Sequence, residues 1–480
     1  MQKSLYFVST PILMEPRGYQ SEILSRIVKN TDNQLNSLIE LDCGLGKRFL
    51  QYSMVFNEFK DKKIVLVLQA STSLYETYNY LKQYDQSDEI SIIDSRLPSK
   101  VRIYKLMNSR VTLSLPQTLY NTLKNGNSVV KSIDMLLINE VDQLIRRTGS
   151  GSYLKQPYRK LFDIMETTTY IGMSGTLRDE HYIQDADQVH ITDELKSLCE
   201  ILGAVNLISM NDVLDTDLPS HLKNSFIIPT EVTDDSVAMM SLEVDQMIES
   251  CKADILDEIR SFNVKLFNEI KRDQSMFFRP LPISEKLHQR LFTGYMIRKF
   301  LWAMPFERAR IHLLRYGIDK RYVFQTLQGE AGKINAAAEL AMSKKKSVIL
   351  CSFLNTVDTL EELIQGKGIK TIKVTGQSNN SVRMEQLNHF RTTDEPMVAL
   401  ISNVGERDID IPEAGLLIIF DLVRTVKTVY QKLKRSRNGE CRILYYSETA
   451  EQKKVESVLK KMRNRYAWST KFLAPQKING

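Results

Sequence analysis

The chain has 480 residues, of which 42% are hydrophobic and 26% charged, with a net charge of +7. This composition excludes a disordered or fibrous chain and supplies two or three packed domains of a soluble globular protein. Five cysteines, scattered at 43, 199, 251, 351 and 441 with no C-x-x-C pair, suggest neither a zinc site nor a disulfide framework and predict a reducing, cytoplasmic setting. The mild basicity permits nucleic-acid binding without requiring it.

The opening MQKSLYFVSTPILMEPRG has a short apolar run broken by polar residues and no small-residue cleavage site, so no signal peptide is expected. No later run reaches membrane-spanning length. From residue 37 the chain reads as the strand SLIEL, the glycine loop in LDCGLGKRFL (41–50), the helix FLQYSMVFNEF and the apolar run KKIVLVLQAS. Short apolar runs recur at VTLSL (111–115), DMLLINE (134–140) and TTYIGMSG (168–175), each followed by a helical or polar segment. That rhythm predicts a parallel sheet covered by helices on both faces.

Between about 230 and 325 the periodicity turns helical, with almost no strand-like runs, as in SLEVDQMIESCKADILDEIRSFNVKLFNEIKRD and LHQRLFTGYMIRKFLWAMPFERARIHLLRY. Strand patterns resume at SVILCSF (347–353) and continue through KTIKVTG, MVALISN, GLLIIFD and CRILYYS. The predicted fold class is α/β, with two tandem domains of parallel sheet flanked by helices and an all-helical insert between them. The expected boundaries are 1–225, 226–330 and 331–465, with a basic tail at 466–480.

The glycine loop carries the first chemistry. A phosphate loop wraps nucleotide phosphates in successive backbone N–H groups, which requires glycine wherever a side chain would block the approach. Gly44 and Gly46 meet that need, and Lys47 supplies a point charge for the outer phosphates. Arg48 stands where a Ser or Thr hydroxyl would hold Mg²⁺. On this stretch alone an ordinary strand-to-helix loop is the simpler reading, so context decides.

The context is a series of motifs in order: PRGYQ (16–20) before a helix, NEVD (139–142) at a strand end, MSGT (173–176), VTGQSNNSVRMEQLNHF (374–390), GERDIDIPEAGLLIIFD (405–421) and YQKLKRSR (430–437). They resemble the adenine-reading segment, the DEAH-type Walker B box, the Ser-Ala-Thr coupling motif and the C-terminal motifs of superfamily 2 helicases. Two of those C-terminal motifs are usually read as GEEGLDIPEVDLVIFYE and QRRGRTGR. With the helical insert, the VTGQS and NVGERDIDIPE stretches are most similar to the helicase half of archaeal Hef and its Fanconi-anaemia M relatives, over nearly the whole chain. That family remodels forked and branched DNA. Some members carry a nuclease domain after the helicase; here the chain stops short of one, so no nuclease is expected.

The resemblance implies two RecA-like domains that hold ATP with Mg²⁺ and bind DNA, forked or branched. Carried over residue by residue, Arg17 and Gln20 read adenine, while Gly44, Gly46, Lys47 and Arg48 hold phosphates. Asn139 stands at the Mg²⁺ aspartate, Glu140 orients the attacking water, and Ser174 and Thr176 couple the domains. Asp410 faces the nucleotide sugar, Gln431 and Arg435 match the first two anchors of the last motif, and the arginine finger falls on Arg437 with a one-residue gap or on Asn438 without one. Ser71, Thr72, Gln117, Thr375 and Gly376 match the strand-tracking set, each of them also suited to a helix cap or turn. In the insert, Arg298 and Lys299 lie among further basic residues interleaved with Tyr295, Phe300 and Trp302, which suits phosphate contact and base stacking.

Several positions depart from the family. An amide at Asn139 is a poorer ligand for a hard cation than a carboxylate, Asp408 replaces a glycine, and Arg407 replaces a glutamate. For Arg48 two readings stand: its guanidinium takes the cation's place, bridging phosphates or pairing with Asp142, or it turns outward and water completes the metal shell. His312 and His389 are lone histidines without ligand spacing. Two functions follow: an ATP-dependent DNA translocase or helicase in repair or replication, or a degenerate helicase that binds DNA or a partner as a scaffold. RNA stays open as the substrate, since nothing here discriminates the 2′-hydroxyl, and no membrane partner is implied.

Overall fold

The computed structural model describes residues 15–479 apart from 43, 86, 125–131, 146–156, 166–167, 176, 178–179, 186–187, 204, 223–224, 279–280, 379, 403–413, 423–428, 431–432, 434–439 and 467–469. The chain divides into two compact units, Met1–Leu222 and Lys223–Gly480.

The first unit is built on seven parallel strands: β1 (Asn36–Glu40), β2 (Ile64–Val67), β3 (Ile90–Ile93), β4 (Val111–Ser114), β5 (Met135–Asn139), β6 (Thr169–Ser174) and β9 (Val205–Ile208). They lie in the order β3-β4-β2-β5-β6-β1-β9. A separate antiparallel hairpin joins β7 (Glu180–Asp185) and β8 (Gln188–Asp193). The strand interiors are unbroken apolar runs, IVLV in β2 and MLLI in β5, because helices cover both faces of the sheet. Those helices are α1 (Gly18–Asp32), α2 (Lys47–Ser53), α3 (Ser71–Lys82), α4 (Ser99–Asn108), α5 (Pro116–Leu123), α6 (Pro157–Phe162), α7 (Glu194–Leu202) and α8 (Leu218–His221). One apolar cluster gathers Tyr19, Leu24, Leu50 and Leu66 with the β1, α1 and α2 side, and a second gathers Leu38, Val65, Leu119 and Leu198 on the other. Gly172 in β6 marks close packing, since a Cβ there would stand 2.7 Å from Val141 Cγ2.

The second unit contains β10 (Ser225–Thr233), then five helices, α9 (Asp235–Phe262), α10 (Val264–Arg272), α11 (Glu285–Ala303), α12 (Phe306–Tyr316) and α13 (Lys320–Thr326). An α/β stretch follows: α14 (Gly332–Met342), β11 (Lys346–Cys351), α15 (Leu354–Gly366), β12 (Lys370–Val374), α16 (Asn380–Thr392), β13 (Met397–Ser402), β14 (Leu416–Ile419), β15 (Glu440–Tyr446), α17 (Ala450–Tyr466), β16 (Thr470–Phe472) and β17 (Gln476–Asn479). The sheet runs β12-β13-β11-β14-β15-β10-β16, with β17 also on β10, all parallel. The two sheets flanked by helices are the tandem RecA-like arrangement.

Two boundaries differ from the sequence reading. Residues 226–233, expected at the start of the helical insert, form β10 inside the second sheet, so the helices leave that sheet and return to it. Pro229 disguises the strand, because proline cannot donate to a ladder. Its ring lies opposite Ile443 of β15, and on the other edge it falls in the gap between the β16 pairing, which ends at Ile227, and the β17 pairing, which starts at Thr230. The stretch expected as a basic tail at 466–480 supplies those two strands, with Lys477 Nζ 3.3 Å from Glu231.

Candidate nucleotide site and strand-facing residues

In a parallel sheet, ligands bind outside the carboxyl ends of the strands, and the first unit gathers its candidate residues along that edge. The phosphate loop leaves β1 beside the end of β6, where Leu41 N donates to Ser174 O at 2.9 Å. Gly44 and Gly46 take φ of 84° and 85°, the left-handed region where a side chain is strained. Gly46 also has no room, since a Cβ would lie 2.4 Å from Gln20 Nε2. Lys47 bends back over the loop and donates to Leu41 O at 2.9 Å and Asp42 O at 3.4 Å, so its charge stands at the loop's mouth.

Gln20 holds the same loop from α1. Its buried amide donates to Leu45 O at 3.3 Å and accepts from Arg17 N at 3.0 Å. Tyr19, fully buried, donates its hydroxyl to Leu45 O at 2.8 Å, and Arg17 Nη1 reaches that hydroxyl at 3.4 Å. Burial pushes the Tyr19 phenol above its ordinary range and keeps it a donor. The first turn of α1 is tied from a distant point in the chain: Asp217 accepts from Tyr19 N at 2.7 Å and Gly18 N at 3.1 Å. The Tyr19 N–H bond holds the Asp217 carboxyl below the usual carboxylate range. Tyr19 and Asp217 were not singled out in the sequence. Tyr19 lies inside the motif and could have been named, whereas no local signal marks Asp217.

At the end of β5, Asn139 is half-buried beside Met173 of β6, and Glu140 turns the chain with a φ of 52°. For a residue with a Cβ this backbone is uncommon, and strain of this kind clusters at functional sites. Asp142 is fully buried and accepts the Ser174 hydroxyl at 2.9 Å, joining the NEVD and MSGT segments directly. Arg48 does not reach it. The guanidinium turns outward to the Glu76 carboxylate on α3, with about half the arginine side chain exposed, which corrects the pairing with Asp142. The reason is position: Arg48 is the second residue of α2 facing α3, and Asp142 is sealed beneath β6.

These groups fit a nucleotide's phosphates, with a glycine cradle closed to any side chain, a lysine at its mouth and Gln20 bracing it. They do not fit Mg²⁺ as the family binds it. The hydroxyl position holds a guanidinium paired with Glu76, the carboxylate position holds an amide, and Asp142 is taken by Ser174. Among the described residues no group of three histidine, cysteine or carboxylate side chains could hold a metal ion.

The strand-tracking candidates also sit at carboxyl ends. Ser71 is exposed at the start of α3, Thr72 follows it with its side chain outside the described residues, and Gln117 is exposed on α5, donating to Asn121 Oδ1 at 3.0 Å. In the second unit Thr375 is buried just after β12, with Gly376 exposed beside it. Within the helical segment Arg298 is spoken for: it pairs with Asp245 at 2.7 Å and lies over the rings of Tyr295 and Trp302 at 5.0 and 5.1 Å. Trp302 is core, donating to Ser241 Oγ at 3.0 Å. Lys299 Nζ stands 4.9 Å over the Phe353 ring. Thr176, Asp410, Gln431, Arg435 and Arg437 lie outside the described residues, as do Arg407, Asp408 and Asn438. Among the described residues no helix is long and apolar enough to cross a membrane.

Comparison with known proteins agrees with this architecture. The family described as "Type III restriction enzyme, res subunit" matches residues 13–179, and the "Helicase conserved C-terminal domain" matches residues 332–440. The chain is 20% identical to the putative ATP-dependent RNA helicase MJ1505 of Methanocaldococcus jannaschii, covering 95% of this chain and 61% of that protein. It is 27% identical to the ATP-dependent DNA helicase MPH1 of Coccidioides immitis over 32% of this chain and 14% of that protein. The chain thus spans under two thirds of either relative. Among solved structures, the Pyrococcus furiosus Hef helicase domain superposes with a TM-score of 0.59 at 15% identity, over 92% of this chain and 98% of that one. Saccharomyces cerevisiae Dbp5, bound to RNA and ADP BeF3, gives 0.55 at 12% identity, over 97% and 90%.

Proposed function

From the premise that the chain is a helicase-like protein of superfamily 2 resembling Hef and its Fanconi-anaemia M relatives, we propose that it is a DNA-binding, ATP-binding motor of slow hydrolysis that acts on forked or branched DNA in repair or replication. The observation that carries the reading is an intact phosphate cradle beside an altered metal position. Gly44, Gly46 and Lys47 keep the geometry for phosphate, and Gln20 braces the loop. ATP, when bound, supplies the energy of its outer phosphate bond. Lys47 exchanges the carbonyls of Leu41 and Asp42 for phosphate oxygens, and Glu140 faces the water. Arg17 and Gln20 meet the base, and Asp410, Gln431, Arg435 and Arg437 are the family-matched nucleotide candidates of the second half of the chain. Ser71, Thr72, Gln117, Thr375 and Gly376 carry the strand backbone, which they hold without reading its sequence.

A second reading is favoured by Asn139 and by the Arg48–Glu76 pair: a scaffold that binds DNA, or RNA, with nucleotide but without turnover. Mg²⁺-dependent ATP hydrolysis, measured with and without forked DNA against Lys47→Ala, separates the two. DNA-stimulated turnover that the substitution abolishes supports the motor. Turnover at the level of Lys47→Ala, with DNA binding intact, overturns the motor in favour of the scaffold.

A further inference from the structure

Outside every motif, α17 presents a face of net positive charge. Its sequence AEQKKVESVLKKMRNRY buries Val455, Val458, Leu459 and Met462 against the second sheet. The opposite arc, at 100° per residue, carries Lys453, Glu456, Ser457, Lys460, Lys461, Arg463 and Asn464, all exposed. Arg463 lies 4.8 Å over the ring of Phe472 on β16. Of the two acidic residues in α17, Glu451 is buried against Lys333 and Glu456 accepts from Gln452 at 3.0 Å.

A run of lysines is ordinarily a solvated face, neutralised by nearby carboxylates. Several lysines elsewhere in this protein follow that rule: Lys82, Lys252, Lys370 and Lys373 each pair with an acid on their own or a neighbouring element. Among the described residues Lys453, Lys460, Lys461 and Arg463 make no ion pair. Four cations therefore stand on one helix face with a single carboxylate among them. A compact state stores self-repulsion in such an arrangement, and a polyanion relieves it.

We propose that the exposed face of α17 is an accessory contact for the phosphate backbone of nucleic acid, apart from the strand-tracking motifs. The spacing suits a repeating anion: Lys453 and Lys460 lie about 10 Å apart along the helix axis at 1.5 Å per residue, with Lys461 and Arg463 flanking them. A lipid surface is disfavoured because, among the described side chains of α17, the large apolar ones, Val455, Val458, Leu459 and Met462, are turned inward. The contact is insensitive to sequence, since lysines on an exposed face reach phosphates and not base edges. It rests on the reading that the chain binds nucleic acid, and it lengthens the footprint of that binding.

The test is the salt dependence of binding to a fluorescein-labelled forked DNA, followed by anisotropy, for the full chain and for Lys453→Gln/Lys460→Gln/Lys461→Gln. Each lost phosphate contact should lower the slope of log K against log salt by about 0.9, so the triple variant should lose about two to three units of slope and about tenfold or more in affinity at 0.1 M salt. The matching triple Lys→Arg variant should keep both. An unchanged slope and affinity in the glutamine variant, with the wild type binding well, overturns this inference and leaves the proposed function standing. No binding by the wild type overturns both. Poly-glutamate competing as well as DNA of equal charge overturns it in favour of an acidic protein partner.

Discussion

Replacing Lys333 with methionine should destabilise the second unit by about 3–5 kcal/mol, the usual cost of orphaning one member of a buried ion pair. The Lys333 side chain is fully buried, and its Nζ donates to Glu451 Oε1 at 2.7 Å and Oε2 at 2.9 Å, between the rings of Phe420 and Tyr446. Methionine keeps the stem and its packing but removes two charge-assisted hydrogen bonds of about 1.5–3 kcal/mol each. Glu451 then keeps the Tyr446 N–H bond, at 2.9 Å, in a buried site. Burial already pushes the Glu451 carboxyl above its ordinary range in spite of Lys333 beside it, so desolvation outweighs attraction and the pair adds little net stability. The double variant Lys333→Met/Glu451→Leu should therefore recover most of the loss. Urea unfolding followed by tryptophan fluorescence reports this unit, because both tryptophans, 302 and 468, fall in its half of the sequence. With a slope of about 3 kcal/mol per M, the single variant should lower the midpoint by about 1–2 M. A single variant within about 1 kcal/mol of wild type, or a double variant as unstable as the single, refutes the reasoning.

Arg48→Thr with Asn139→Asp restores a hydroxyl and a carboxylate at the metal position and should raise Mg²⁺-dependent ATP hydrolysis; no rise would assign the deficit to Arg407 and Asp408. Gly172→Ala should cost about 1–3 kcal/mol in thermal unfolding, since the new Cβ meets Val141 Cγ2 at 2.7 Å in the turn that carries Asn139 and Glu140. Asp94 is held down to about 2 by Arg96 and the Tyr75 hydroxyl, below the value of about 3.9 in an unfolded chain. Its contribution is complete above about pH 4 and is lost as pH falls through about 2, so Arg96→Gln should move the acid-unfolding midpoint upward in a circular-dichroism titration.

The parts of this protein that could be read from the sequence are those where one short segment carries its own reason. The apolar run before GLGK, the NEVD strand end and the alternation of strands with helices each report local physics, and each forms the expected element. The strand at 225–233 escaped because Pro229 argues against a central strand, and only the interrupted pairing of β16 and β17 shows how the missing N–H is accommodated. Glu76 lies 28 residues beyond Arg48, and Asp217 lies 198 residues beyond Tyr19. Such partners are chosen by the folded chain and leave no trace in spacing. Arg298 is ambiguous for a related reason: a cation among aromatics reads alike whether it faces phosphate or packs on Trp302 and Asp245.

The five helices between β10 and α14 begin and finish at the same carboxylate. Asp234 caps α9 through Val237 N at 3.2 Å and accepts from Gly332 N, at the start of α14, at 3.0 Å. A segment whose two ends are joined in this way can be gained or lost at a single loop of its host, because the chain it interrupts hardly has to open to admit it. The helices also share an apolar core with the sheet, from Ile248 and Trp302 to Ile349 and Leu416. The arrangement makes them a graft on the second sheet: bridging Asp234 to Gly332 with a short turn would keep every strand of that sheet, at the cost of uncovering the core the helices share with it.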